Sequence, residues 1–209
     1  MKKTIQFGEK VEGFNIPVLN EREIRASAGI LFLAALLSLM AILFKGNFLP
    51  IKYFITAFLL DFNIRVFINP GMSPSLIIGR IIVRNQRPEY VGAAQKRFAW
   101  IIGIGLSALM FIFLVLANAY SPITGLSCLV CLLFLFFESA FGICLGCKFY
   151  SLFHKEKAKY CPGEICEVGE RQKITFIQFF IVIVFPMLLL FIFSLFNGFF
   201  HIQPHDLFS

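Results

Sequence analysis

The sequence has few charged side chains and few signatures of soluble catalysis. Asp, Glu, Lys and Arg together make up 15% of its 209 residues, whereas globular chains carry about 25%. The sequence contains no nucleotide-binding loop, haem motif or serine nucleophile arrangement, and no basic stretch interleaved with aromatic residues. These absences argue against an ordinary soluble enzyme and against a nucleic-acid-binding protein. No short apolar core follows the basic start, so we expect no cleavable signal peptide.

Apolar residues dominate instead, with 58% hydrophobic content and 28 Phe. They form runs of roughly 20 residues, the length that crosses a bilayer as a helix. The sequence therefore predicts an all-α integral membrane bundle of five transmembrane helices. The predicted spans cover residues 26–44, 51–68, 98–120, 123–147 and 174–196.

The predicted spans and the polar segments around them divide the chain into three parts. Residues 1–25 form a charged N-terminal segment, residues 26–173 a four-span core with a polar linker, and residues 174–209 a fifth span with a short tail. Between spans 2 and 3, residues 72–97 mix apolar and basic side chains, which is typical of a helix lying in the membrane interface.

Basic residues predict the orientation of the chain. Of 19 Lys and Arg, sixteen fall in the segments on one side of the predicted spans and two in those on the other. Because basic loops are retained in the cytoplasm, we expect a cytoplasmic N-terminus and an extracytoplasmic C-terminus.

All six cysteines fall between residues 128 and 166, in three pairs. The pairs are Cys128 with Cys131, Cys144 with Cys147, and Cys161 with Cys166. A cysteine inside an apolar helix often only packs, but the third pair lies in a polar linker, where packing does not explain it. We therefore expect the last four thiols to share one chemical role at the cytoplasmic face.

Two roles fit these four thiols. Cys144 and Cys147 can exchange disulfides or pass on a sulfur atom, with Cys161 and Cys166 as resolving partners. Alternatively, the four thiolates close a tetrahedral zinc site, since their Cx2C and Cx4C spacing is near that of structural zinc proteins. Zinc is thus the one cofactor that the sequence suggests.

Cys128 and Cys131 lie in the outer, extracytoplasmic part of predicted span 4. For this outer pair we favour a packing role over a chemical one. Cys131 and Cys144 are 13 residues apart, which is roughly 20 Å along a straight helix. Within a straight helix that distance is too great for direct exchange between their thiols.

Three ionisable residues lie within the predicted spans. Asp61 and Arg65 are four residues apart, on one face of span 2, and we expect them to pair. Glu138 lies at a similar depth in span 4. Intramembrane charges are functional candidates, so we expect the three to form one buried cluster beneath the cysteines, either functional or a purely structural link between spans 2 and 4.

Several of these residues lie in motifs that resemble those of a known family. The motifs are Asn20-x-Arg22, Asp61-Phe-x-Ile-Arg65, Ser73-Pro74, Lys96-Arg-Phe98-Ala99 and Glu138-x3-Gly142-x-Cys144-Leu-Gly-Cys147. Over residues 18–167 the chain resembles the bacterial membrane family labelled domain of unknown function 4395.

The resemblance implies a bacterial inner-membrane protein with four family spans, to which the fifth is an addition. It also implies a second cysteine pair after the first, represented by Cys161 and Cys166. It supplies no activity.

From the residues, thiol–disulfide exchange or sulfur handling is the favoured function, with a thioredoxin-like or sulfur-carrier protein as partner besides the lipid bilayer. The alternatives are a zinc-stabilised scaffold or partner-binding protein without catalysis, and a small-solute transporter. No nucleic-acid partner is expected.

Overall fold

The computed structural model of the protein describes residues 7–144, 175–196 and 205–206, and over these it is mostly helical. An all-α fold is therefore confirmed. Cys147, Cys161 and Cys166 lie outside the described residues, and so does most of the linker that precedes the last helix.

Six helices and four very short strands follow one another along the described chain. The helices are α1 (Glu21–Lys45), α2 (Leu49–Asn63), α3 (Pro74–Val83), α4 (Ala93–Phe111), α5 (Pro122–Phe136) and α6 (Phe176–Leu195). Single π-helical turns extend α2 (Ile64–Ile68), α4 (Ile112–Leu116) and α5 (Phe137–Phe141), and a 3-10 turn (Pro70–Met72) precedes α3. The strands are β1 (Val18–Asn20), β2 (Tyr90–Gly92), β3 (Ala119–Tyr120) and β4 (His205–Asp206); β1 pairs with β2 antiparallel, and β3 pairs with β4 in parallel.

Four of the described helical segments are long and apolar enough to cross a membrane. They are Glu21–Lys45, Ala93–Leu116, Pro122–Phe141 and Phe176–Leu195. The protein is therefore a membrane-spanning protein. The remaining predicted span corresponds to α2 with its π-helical turn, whose apolar sequence is interrupted by Lys52, Asp61 and Arg65.

The helix that carries Glu138 ends earlier than the sequence predicts. We expected span 4 to continue to Cys147, but its last turn closes at Phe141. Gly142 follows with φ +65°, the left-handed conformation that commonly terminates helices, and its N–H donates to the carbonyl oxygen of Glu138 at 3.1 Å. Cys144 therefore lies just beyond the helix, in the chain that turns away from it.

The predicted amphipathic segment contains a helix, α3, that packs along the first part of α1. Its buried residues include Leu76, Ile77 and Val83. The two helices are in close contact at Gly79, where an added Cβ would lie 2.5 Å from the carbonyl oxygen of Glu23. A position in the membrane interface remains a prediction for this segment.

Two apolar clusters fill the bundle. One is centred on Phe58, Phe62, Trp100 and Leu135, close to the charged residues described below. The other contains Ile51, Ile55, Met110, Leu114 and Cys131, with Cys128 packed against it. Both outer cysteines are free thiols, and their surroundings agree with the packing interpretation.

Replacing Gly79 with Ala tests the contact between α3 and α1. The new methyl group would overlap the backbone of α1, so we expect a loss of about 1–3 kcal/mol in stability, measured as a lower unfolding temperature in detergent. The control is Gly105→Ala in α4, where an added Cβ meets nothing within 4 Å. Equal unfolding temperatures of the two variants would contradict the close contact between α3 and α1.

Candidate functional site: two buried charge clusters

The first cluster surrounds the guanidinium of Arg65, which is 2% exposed. Its Nε donates to Oδ2 of Asp61 at 2.9 Å, which confirms the expected pairing. Nε also donates to the hydroxyl of Ser73 at 3.2 Å, and Nη2 donates to the hydroxyls of Ser27, at 2.6 Å, and Ser75. We call these five residues the arginine cluster; they join α1, α2 and the start of α3.

Asp61 accepts hydrogen bonds from the same serines. The hydroxyl of Ser73 donates to Oδ1 at 2.7 Å, the backbone N–H of Ser75 donates to Oδ1 at 3.0 Å, and the hydroxyl of Ser75 donates to Oδ2. Ser73 is also the N-cap of α3, where Pro74 occupies the first helical position. The start of α3 thus supplies the hydrogen bonds that a buried carboxylate requires.

Aromatic rings cover the remaining side of the guanidinium. The Cζ atom of Arg65 lies 4.4 Å from the ring centre of Phe62 and 5.3 Å from that of Trp100. Such contacts stabilise a cation in a desolvated site. The charge is therefore paired, hydrogen-bonded and stacked within the protein.

The second cluster, which we call the lysine cluster, consists of Lys96, Glu138 and Glu21. Lys96 is 1% exposed and donates to Oε1 of Glu138. Its Nζ also lies 2.7 Å from Oε2 of Glu21. Neither oxygen of Glu21 has an aligned hydrogen bond among the described residues, so the second contact is an ion pair without hydrogen-bond geometry. This cluster joins the starts of α1 and α4 to the last turn after α5.

A further ion pair connects α1 with α3. The guanidinium of Arg80 donates from Nε to Oε1 of Glu23 at 3.0 Å and from Nη2 to Oε2 at 3.1 Å. Asn20, the N-cap of α1, donates to the same carboxylate. The bidentate pair fixes the rotation of α3 against α1.

Cys144 lines a small cavity together with members of both clusters, and we call it the cysteine cavity. The cavity has a volume of about 50 Å³, large enough for a water molecule. Arg65, Glu138, Trp100, Cys131 and Cys144 contribute to its wall. The side chain of Cys144 is buried, with 4% of its surface exposed.

The structure groups the predicted charges differently from the sequence analysis. Asp61 and Arg65 pair with each other, whereas the ion pair of Glu138 is with Lys96. Glu138 and Arg65 form no direct ion pair, but they share the cavity wall and their opposite charges interact electrostatically. Of the four predicted site cysteines, Cys144 is the one that the structure describes.

Sequence reasoning missed Lys96 and Glu21 as buried partners. Both lie just before a predicted span: Glu21 in the charged N-terminal segment, and Lys96 in the segment assigned to the membrane interface. The need of a buried carboxylate for a cation could have indicated the pair. Glu138 lies within predicted span 4, and Lys96 immediately precedes predicted span 3.

The described residues contain no group of three or more His, Cys, Asp or Glu arranged to hold a metal ion. The two clusters place ionisable groups, which can carry charge and bind protons, in a buried site shielded from water. A thiol beside a cation is more readily ionised, and a neighbouring carboxylate can accept its proton.

Replacing Lys96 with Met tests the lysine cluster. The change leaves Glu21 and Glu138 buried without their cation, which should cost about 3–5 kcal/mol of stability. Glu21→Gln, which keeps the shape and leaves the pair of Lys96 with Glu138 intact, should be much milder. Unfolding temperatures in detergent decide the matter: similar losses for both variants would contradict the assignment of Lys96 as the shared partner.

Comparisons with known proteins agree with the motifs. The profile of the family described as Domain of unknown function (DUF4395) matches residues 19–155. No curated protein and no solved structure matches the chain. The match covers every residue of the two charge clusters and extends beyond Cys147, over most of the chain. The protein therefore belongs to the family described as Domain of unknown function (DUF4395).

Proposed function

We propose that the protein is a five-span protein of the bacterial inner membrane, with a cytoplasmic N-terminus, that exchanges disulfides or handles sulfur through Cys144 and Cys147. Cys161 and Cys166 act as the resolving pair, and the partner is a thioredoxin-like or sulfur-carrier protein. The observation that carries the proposal is the position of Cys144, in one cavity wall with Arg65 and Glu138.

The contacts at the two ends of α2 support a fifth crossing. Arg65, after the end of α2, donates to Ser27 near the start of α1. Lys52, in the first turns of α2, donates to Asn118 in the turn between α4 and α5, at 2.5 Å. The segment thus extends from one end of the bundle to the other. Its charges are 1–3% exposed, so they are not presented to lipid.

The surroundings of Cys144 suit a nucleophilic thiol. The cationic Arg65 lies in the same cavity wall as the thiol, and the carboxylate of Glu138, or a water molecule in the cavity, can receive the proton. Exchange also requires that the sulfur become accessible, because it is 4% exposed. An opening of the chain after Gly142 would provide that access.

Exchange would proceed in two balanced steps. The thiolate of Cys144 attacks one sulfur of the partner's disulfide, forming a mixed disulfide and releasing the partner's other sulfur as a thiolate. The thiolate of Cys147 then attacks the sulfur of Cys144 and releases the partner as a dithiol. Two electrons pass to the partner, and the pair Cys161 and Cys166 restores the dithiol by the same chemistry while becoming oxidised itself.

Incubating the purified protein with oxidised thioredoxin tests this chemistry. We expect the loss of two thiols for each dithiol formed, with a disulfide located by peptide mapping within the Cys144, Cys147, Cys161 and Cys166 set. Cys144→Ser should abolish the reaction. Cys128→Ser is the matched control and should leave it unchanged, because that thiol packs in an apolar cluster.

The same preparation distinguishes the zinc alternative. One zinc ion per chain, together with thiols that resist both thioredoxin and alkylation until a chelator is added, would contradict exchange and favour a structural site. A preparation that contains no zinc and reacts with thioredoxin as described would support thiol–disulfide exchange.

Reporter fusions test the crossing number. Alkaline phosphatase, which is active only outside the cytoplasm, should be active when fused after Ser209 and inactive when fused after Pro88, because sixteen of the 19 basic residues fall on the cytoplasmic side in a five-span topology. An inactive fusion at Ser209 would contradict five spans, since an even number of crossings returns the chain to the cytoplasm.

A further inference from the structure

An open groove of about 450 Å³ lies between α1, the end of α3 and the last turn after α5. Arg22 and Arg25 of α1 line it, together with Gln86 and Ser139. We call it the basic groove. It is separate from the cysteine cavity, and its properties do not depend on thiol chemistry.

The two arginines of the groove differ in their partners. Arg22 pairs with Glu89 and also donates to Gln86 at 3.1 Å, so its charge is matched. Arg25 has no ion pair with any described carboxylate. Its guanidinium lies against the backbone of Gly142, where an added Cβ would be 3.0 Å from Cζ. The groove therefore presents one guanidinium that forms no ion pair with a described carboxylate, although its charge acts on the nearby carboxylate of Glu21.

A hydroxyl accompanies this guanidinium. Ser139 packs over Gly29, where an added Cβ would lie 2.8 Å from the serine oxygen. Gly29 thus keeps the helices close and holds the hydroxyl in the groove wall. A guanidinium with a neighbouring hydroxyl is suited to the oxygens of a phosphate group.

Exposed apolar side chains lie close in sequence to residues of the groove. Leu33 lies one turn beyond Gly29 on the same face of α1 and is 54% exposed. Ile82, beside Val83 of the groove wall, and Phe141, beside Gly142, are both 57% exposed. A ligand held here by its phosphate could lay hydrocarbon chains against these residues.

The depth of the groove also suits a lipid headgroup. Arg22 and Arg25 lie in the first turns of a membrane-crossing helix, and Ser139 lies in the last turn of another. These are the ends that the charge distribution assigns to the cytoplasmic leaflet, where anionic lipids attract basic side chains.

From these observations we propose that the basic groove is a binding site for an anionic glycerophospholipid, whose headgroup phosphate contacts Arg25 and Ser139 and whose acyl chains lie along Leu33 and Phe141. Bound in this way, the lipid would link α1 to the chain that leads from Glu138 to Cys144.

Native mass spectrometry of the detergent-purified full chain tests the proposal, with short-chain phosphatidylglycerol and phosphatidylcholine as probes. The protein should retain phosphatidylglycerol in preference to phosphatidylcholine. Arg25→Gln should weaken its binding about tenfold, the effect of losing one charged hydrogen-bonded contact. Lys45→Gln removes the same charge from the opposite end of α1 and should leave binding unchanged.

Three outcomes would overturn the proposal. They are equal retention of the two lipids, equal losses for Arg25→Gln and Lys45→Gln, and displacement of phosphatidylglycerol by excess inorganic phosphate, which would indicate a site for free phosphate. If Arg25→Gln fails to fold, Arg25→Lys replaces it: the retained charge should preserve the preference for phosphatidylglycerol, and its loss in a folded variant would count against the site.

Discussion

The burial of one guanidinium, that of Arg65, organises this fold. A cation in a bundle of apolar helices is tolerated only when it is paired and its donors are satisfied. Asp61 supplies the counter-charge from the same helix, and serines from α1 and from the start of α3 accept or donate the remaining hydrogen bonds. The arrangement requires the start of α1, the end of α2 and the cap of α3 to meet at one point.

Two further buried cations, Lys96 and Arg80, are paired in the same way at the same end of the bundle. Lys96 connects α4 to α1 and to the turn after α5, and Arg80 connects α3 to α1. Apolar packing between membrane helices is weakly directional because lipid is as apolar as the side chains. Ion pairs with defined geometry supply the register instead. The cysteine cavity lies directly against this polar end, so the same contacts that define the fold also define the surroundings of Cys144.

Much of the architecture was predictable because apolar runs and basic loops are properties of the sequence alone. The helical membrane fold follows from the apolar runs, and the pairing of Asp61 with Arg65 follows from their spacing of four residues. The end of the helix at Phe141 was not predicted, because the apolar run continues past Gly142 and only the left-handed backbone of that glycine stops it.

The partners of the buried carboxylates were also beyond sequence reasoning. Glu138 and Lys96 are 42 residues apart, and nothing local marks them as neighbours. Lys96 in particular looks like an ordinary interfacial lysine until the helices are assembled. The spacing of Asp61 and Arg65, by contrast, brings both onto one helical face whatever the tertiary structure.

A double-mutant cycle on Asp61 and Arg65 tests most directly whether this one buried ion pair organises the fold. The stabilities of Asp61→Asn, Arg65→Gln and the double variant would be measured by unfolding in detergent. We expect each single change to cost about 3 kcal/mol or more and the double variant to be little worse than either, so that the coupling energy is about as large as one single loss. Additive losses would show that the two charges act independently and would contradict this account.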